Sequence, residues 1–111
     1  MNHFPAAAMC QMAEEVASLL KVLANKDRLI LLCQMSDAPR NVSELEALSG
    51  LHQPSLSQQL AVLRQANLVQ TNKEGKQVYY QLTDAKTRRL LEVLCREFAE
   101  TEISALNNHA K

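Results

Sequence analysis

At 111 residues the chain has room for one domain and one core, since domains run to about 100–150 residues. With 47% hydrophobic and 22% charged residues, two Gly and three Pro, it falls outside the disordered and low-complexity classes, and 4% aromatics leave the core to aliphatic helix packing. Formal net charge is zero, which excludes a uniformly basic polyanion-binding surface, so any nucleic-acid contact must come from a local patch.

The apolar residues Met9, Met12, Ala13, Val16, Leu19, Leu20 and Leu23 recur at helical spacing and predict a first helix over Ala6 to Ala24. Asn25 is placed to cap a second helix from Lys26 to Met35, with Leu29, Leu32 and Cys33 inward and Asp27 at its positive end. Asp37-Ala38-Pro39-Arg40-Asn41 breaks the pattern. Ser43 with Glu46 makes a capping-box pattern and predicts a short third helix, Leu45 and Leu48 inward, that Gly50 ends.

Pro54, in the first turn behind a cap at His52 or Gln53, predicts a fourth helix to Ala66. Its inward stripe is Leu56, Leu60 and Leu63, which leaves Gln53, Ser55, Ser57, Gln58, Gln59 and Gln65 outward. Leu68 to Lys73 and Lys76 to Leu82 predict a hairpin around Glu74-Gly75, with Val78, Tyr80 and Leu82 packed and Gln77, Tyr79 and Gln81 exposed. Thr83-Asp84 caps a final helix from Ala85 through Glu100, with Leu90, Leu91, Leu94, Cys95 and Phe98 on one apolar face; beyond Ile103 a polar, frayed tail is expected.

These elements predict a mainly α chain with a small β-hairpin wing. Five helices form a single winged helix-turn-helix domain, the helix-turn-helix at about 43–66 and the wing at about 68–82. The first and last helices, at about 6–24 and 85–102, carry more apolar surface than the central unit covers and predict a homodimer seam.

No apolar run approaches the roughly 18 residues of a bilayer span, and Met1-Asn2-His3-Phe4-Pro5 lacks the basic flank and apolar core of a signal peptide. A cytoplasmic location away from membranes is expected. Cys10, Cys33 and Cys95 are then core thiols or sensors, and not a disulfide framework.

Helix 4 carries an outward face dense in hydroxyls and amides and free of acid. Gln pairs bidentately with adenine and Ser bonds base edges or phosphates, so Gln53, Ser55, Ser57, Gln58 and Gln59 are candidate DNA readers; the plainer alternative is a solvated helix. Positive charge collects nearby: Arg64, Lys73, Lys76, Lys86, Arg88 and Arg89 lie between His52 and Arg89 against Glu74 and Asp84. Of these, Arg64, Lys73 and Lys76 are the candidate phosphate contacts, with ordinary solvated charge as the alternative. A Gly-rich phosphate loop, a nucleophile at motif spacing from a His, and a paired-carboxylate context are all missing, so an enzyme is not expected and no cofactor is implied. A DNA-free adaptor on the same fold is disfavoured by the polar helix 4 and the basic hairpin.

The segments Leu19 to Asn25, Arg28 to Cys33, Val42-Ser43-Glu44-Leu45-Glu46 and Leu56 to Arg64 resemble the signature positions of the ArsR/SmtB family of bacterial repressors, and the resemblance spans nearly the whole chain. It implies a homodimer joined through the first and last helices that binds a palindromic double-stranded DNA operator and releases it on meeting an inducer. The family's Cys-x-Cys metal site on the third helix has no counterpart in Ser43 to Gly50. Its zinc site on the last helix matches Asp84, Lys86, Glu97 and Glu100, and a protonated Lys cannot ligate zinc, so no metal site is expected there.

What the resemblance leaves is thiol chemistry. A branch with biofilm-growth and sulfide-responsive repressors and haemolysin activators carries one cysteine on the second helix and one on the last, which oxidants or persulfides link. Cys33 falls on the first position; the second aligns with Ala99, and Cys95 lies four residues earlier, about 6 Å along the helix axis. A direct disulfide needs Cα atoms about 4.4–6.8 Å apart, which the shift works against, whereas a bridge with extra sulfur atoms is longer and more forgiving; the alternative is that both are core thiols. A second reading joins Cys10 of one chain with Cys33 or Cys95 in a three-thiolate site for arsenite or another thiophilic metal, drawn from Cys10, Cys33 and Cys95, and a third is a family member with no inducer site.

Overall fold

The computed structural model describes the backbone of residues 5–109 and the side chains of residues 5–99. Five helices and three short strands follow in the order α1 (Ala6–Leu23), α2 (Lys26–Gln34), β1 (Arg40–Asn41), α3 (Val42–Ser49), α4 (Ser55–Gln65), β2 (Val69–Glu74), β3 (Gln77–Leu82) and α5 (Ala85–His109). The fold is a winged helix-turn-helix: α3, a turn and α4, then a β2–β3 wing. Among the described residues no helix is long and apolar enough to cross a membrane.

Local chemistry sets each boundary. Asn25 caps α2 by accepting the Arg28 N–H at 3.1 Å, as its position suggests. The capping box of α3, however, is formed by Asn41 and Glu44, not by Ser43 and Glu46: Asn41 accepts the Glu44 N–H and Glu44 accepts the Asn41 N–H, both at 2.9 Å. Asn41 reaches the extended geometry a cap requires because Arg40–Asn41 is a strand, where a plain breaker was expected. Along the helix so capped, Val42, Leu45 and Ser49 face inward and Leu48 is 52% exposed, against the expectation that it packs.

Gly50 at φ 75° ends α3 as its sequence position predicts. Pro54 is itself the residue before the first turn of α4, one place earlier than expected, and Gln53 does the capping work from outside by accepting the Ser57 N–H at 3.1 Å. After α4, Asn67 takes a left-handed φ of 61°, which Asn tolerates, and Leu68 N–H returns to the Leu63 carbonyl, pinning the exit into β2.

The sheet has the order β1-β3-β2, all antiparallel, so β1 adds a third strand to the expected hairpin. Glu74 pairs with Gln77, which makes Gly75-Lys76 the two-residue loop; Gly75 supplies the positive φ at its first position. Burial along β3 departs from strict alternation. Leu82 is buried and Tyr80 packs on the core, but Val78 is exposed and Tyr79 and Gln81 are half-buried. Val78 pairs with Lys73 next to the hairpin tip and is 37% exposed, while β1 pairs with Tyr79 and Tyr80 further from it.

One core joins the elements: Leu23, Leu31, Leu32, Met35, Leu45, Leu56, Leu60, Leu63, Leu68, Val69, Leu82 and Leu91. Asp84 caps α5 by accepting from the Thr87 N–H at 3.0 Å and from its hydroxyl at 2.6 Å, which satisfies Thr87, the buried polar residue of the core. Helix α5 continues to His109, past the expected end at Glu100 and through the tail expected to fray. Two helices leave apolar faces uncovered: Met9, Met12, Val16 and Leu20 on α1, and Val93, Leu94 and Phe98 on α5.

Candidate nucleic-acid interface and thiol pair

Leu56, Leu60 and Leu63 anchor α4 in the core and so decide which residues stand out. Gln53, Ser55, Ser57 and Gln58 are exposed along the opposite side, as their spacing predicts. Two are already oriented. The Gln53 Oε1 accepts the Ser57 N–H and, at 2.7 Å, the Ser57 hydroxyl, so the Gln53 amide points its N–H groups outward and Ser57 keeps its lone pairs for a donor. Among the described residues the Gln58 side chain has no hydrogen-bond partner and presents both amide atoms.

Gln59 differs from the expectation of an outward reader. It is half-buried, and its Oε1 accepts from Arg28 Nη1 at 2.9 Å. The same guanidinium donates from Nε to the Val22 carbonyl at 2.6 Å and from Nη2 to the Lys21 carbonyl at 3.3 Å, capping the open C-terminal end of α1. Sequence reasoning missed Arg28. No local signal marks it, because its acceptors lie six, seven and 31 residues away.

The cationic patch is smaller than the sequence suggests. Arg64, Lys73 and Lys76 are exposed at the end of α4 and at the wing, with Lys76 in the tip itself. Arg88 is half-buried and donates from Nη1 to the Ser36 carbonyl and from Nη2 to the Leu82 carbonyl, so part of its guanidinium is already engaged inside the fold. Arg40 donates to the Gln34 carbonyl and pairs with Asp37.

Cys33 near the end of α2 and Cys95 on α5 bring their Sγ atoms to 3.8 Å. The four-residue offset of Cys95 therefore does not keep the two apart. Cys33 is half-buried and Cys95 exposed. Burial first, then the hydrogen bond to Cys95 and the negative charge Cys95 can carry, push the Cys33 thiol from 9.0 up to about 11. Cys33 thus stays protonated at neutral pH, and the sulfur open to a solvent-borne reagent is that of Cys95.

Cys10 is exposed on α1, and among the described residues no group of three His, Cys, Asp or Glu side chains is placed to hold a metal ion. The three-thiolate arrangement is thus not assembled within one chain. At the family's zinc position, the Asp84 carboxylate is held below its ordinary range by the Thr87 hydroxyl and N–H, with Lys86 and Arg89 adding to the effect. The side chain of Glu100 lies outside the described residues.

Residues 25–71 match the profile of a family described as "Bacterial regulatory protein, arsR family". The chain is 45% identical over 102 residues to the biofilm growth-associated repressor of Agrobacterium fabrum, covering 92% of this chain and 87% of that protein. Its fold is similar to the crystal structure of the transcriptional repressor BigR from Xylella fastidiosa, with a TM-score of 0.79 and 42% identity over 86% of this chain and 97% of that one. Reduced HlyU from Vibrio cholerae superposes with a TM-score of 0.78 and 37% identity, over 82% of this chain and 96% of that one.

Proposed function

The chain belongs to the arsR family of bacterial transcriptional regulators, which are not enzymes, and on that premise we propose that it is a cytoplasmic homodimeric repressor whose operator affinity falls when Cys33 and Cys95 are joined. The observation that carries the thiol reading is the 3.8 Å Sγ separation between two thiols on different helices of a DNA-binding fold.

Helix α4 enters the major groove, where Ser55, Ser57 and Gln58 meet base edges and the outward N–H groups of Gln53 meet a base or phosphate acceptor. Arg64, Lys73 and Lys76 neutralise the flanking phosphates. The uncovered apolar faces of α1 and α5 support pairing of two copies through those helices, and a two-fold dimer reads a palindromic operator with half-sites about 34–36 Å apart.

The switch is an oxidation of two thiols. Hydrogen peroxide takes two hydrogens from Cys33 and Cys95 and leaves as two waters, and an Sγ–Sγ bond remains. A persulfide reaches the same product by passing its outer sulfur to the exposed Cys95 and leaving as a thiol; Cys33 then attacks the Cys95 sulfur and releases sulfide. Either bond closes the gap from 3.8 Å to about 2.0 Å and draws α2 towards α5. Because α5 belongs to the dimer seam, the spacing of the two reading helices changes with it.

Operator binding by the reduced chain, by the peroxide- or persulfide-treated chain and by Cys33→Ala tests this. Treatment should release wild-type protein from the operator and leave Cys33→Ala bound, with mass spectrometry placing the new bond between Cys33 and Cys95. Three free thiols after release would sink the thiol reading.

A further inference from the structure

We infer that Gln59 is not a base reader but the acceptor through which Arg28 seats the reading helix, and that this contact carries the thiol state of α2 to α4. The relay rests on the thiol control proposed above, whereas the seating does not.

Around α4, at about 100° per residue, Gln59 lies only about 60° from Leu56 and about 40° from Leu63, while Gln58 lies about 160° from Leu56. Gln59 therefore sits at the edge of the buried stripe, in keeping with its half-burial. Arg has donors and no acceptor, so the Gln59 atom at 2.9 Å from Nη1 must be the amide oxygen. That capture breaks the paired donor and acceptor an adenine contact would use.

One planar guanidinium thus fastens three helices: its own α2, the open carbonyls of Lys21 and Val22 on α1, and Gln59 on α4. Helix α2 is nine residues long, with Arg28 in its first turn and Cys33 in its last. As a short rigid rod it tilts when its Cys33 end is drawn towards α5, and Arg28 at the other end shifts against α4. Arg28 is therefore a positioning residue, which reaches the reading helix through Gln59 and holds the end of α1 through its carbonyls.

The test measures operator affinity for wild type, Gln59→Glu and Gln59→Met, each reduced and after Cys33–Cys95 bridging, with thermal melting as the folding control. Gln59→Glu keeps an oxygen for Arg28 and should bind within about threefold of wild type when reduced; Gln59→Met has no such acceptor and should bind about tenfold more weakly, with a smaller drop on bridging. Arg28→Lys, which keeps the charge but not the three-way fork, should repeat the Gln59→Met result without altering α4, and it decides the matter if Gln59→Met melts early. Loss of binding in Gln59→Glu alone, with a changed base preference at one operator position, would make Gln59 a reader and overturn the seating. A full wild-type drop on bridging in Gln59→Met would overturn the relay. If bridging leaves wild-type affinity unchanged, the relay falls with the thiol reading, and the reduced-state comparison still decides the seating.

Discussion

The exposed polar side chains on α4 and just before it are not equivalent, because hydrogen bonds inside the protein have already fixed which groups some of them offer. Gln53 shows donors, Ser57 shows lone pairs, and Gln58 keeps both amide atoms. Gln58→Ala should therefore lower operator affinity by about 1–3 kcal/mol while leaving binding to an unrelated duplex nearly unchanged. Lys73 and Lys76, proposed as phosphate contacts, should act differently. Removing either should weaken binding to all sequences and make the logarithmic salt slope shallower by about 0.9 for each phosphate no longer neutralised, which a symmetric dimer doubles. The thiols are also unequal. Cys33 is an acid whose folded value, about 11, lies above the ordinary 9.0, so its contribution to stability is full below pH 9.0 and is lost as pH rises through about 11. Urea midpoints should accordingly fall further across that window in wild type than in Cys33→Ala. In Cys95→Ala, alkylation of Cys33 should show a midpoint below about 11 yet above 9.0, because burial, the larger cause, remains.

At the scale of elements, periodicity carried the reading of the helices and failed where a strand intervened. Leucine spacing located α1, α2, α4 and α5, and Gly50 and Gly75 marked real left-handed turns. Arg40–Asn41 carries no strand signal by itself; it becomes β1 only because β3 lies beside it, and that pairing places the capping box at Asn41, on a helix whose Leu48 turns outward. Arg28 and Arg88 were illegible for the same reason, since their carbonyl acceptors are defined by tertiary packing. The Cys33–Cys95 approach depended on how α5 crosses α2, which residue offsets along one helix cannot decide. Legible throughout was the excess of apolar surface on α1 and α5. Phe98 is 68% exposed and Val16 45%, so Phe98→Glu with Val16→Glu should yield a monomer in light scattering. Its operator affinity should fall by about two orders of magnitude or more as the two half-sites are no longer bound together.

On the proposed function, the whole molecule separates reading from switching. The reading head, from α3 through the wing, holds no cysteine, and the paired thiols lie on α2 and α5 outside it. An inducer acting at those thiols lowers DNA affinity only by favouring a dimer geometry that fits the operator less well, and a shift from almost fully bound to almost fully free requires about 5.5 kcal/mol of difference between the states. Under the proposed switch that difference comes from movement of α2 against α5, because Cys33 and Cys95 lie outside α4 and the wing. The most direct measurement is operator affinity for one preparation in its reduced form, after bridging, and after re-reduction, with the Cys33–Cys95 bond followed by mass spectrometry at each step. Reduced protein should bind tightly, lose binding in step with formation of the bond, and recover it when the bond is cut. Bridged protein that holds the operator as tightly as reduced protein would contradict the proposed switch.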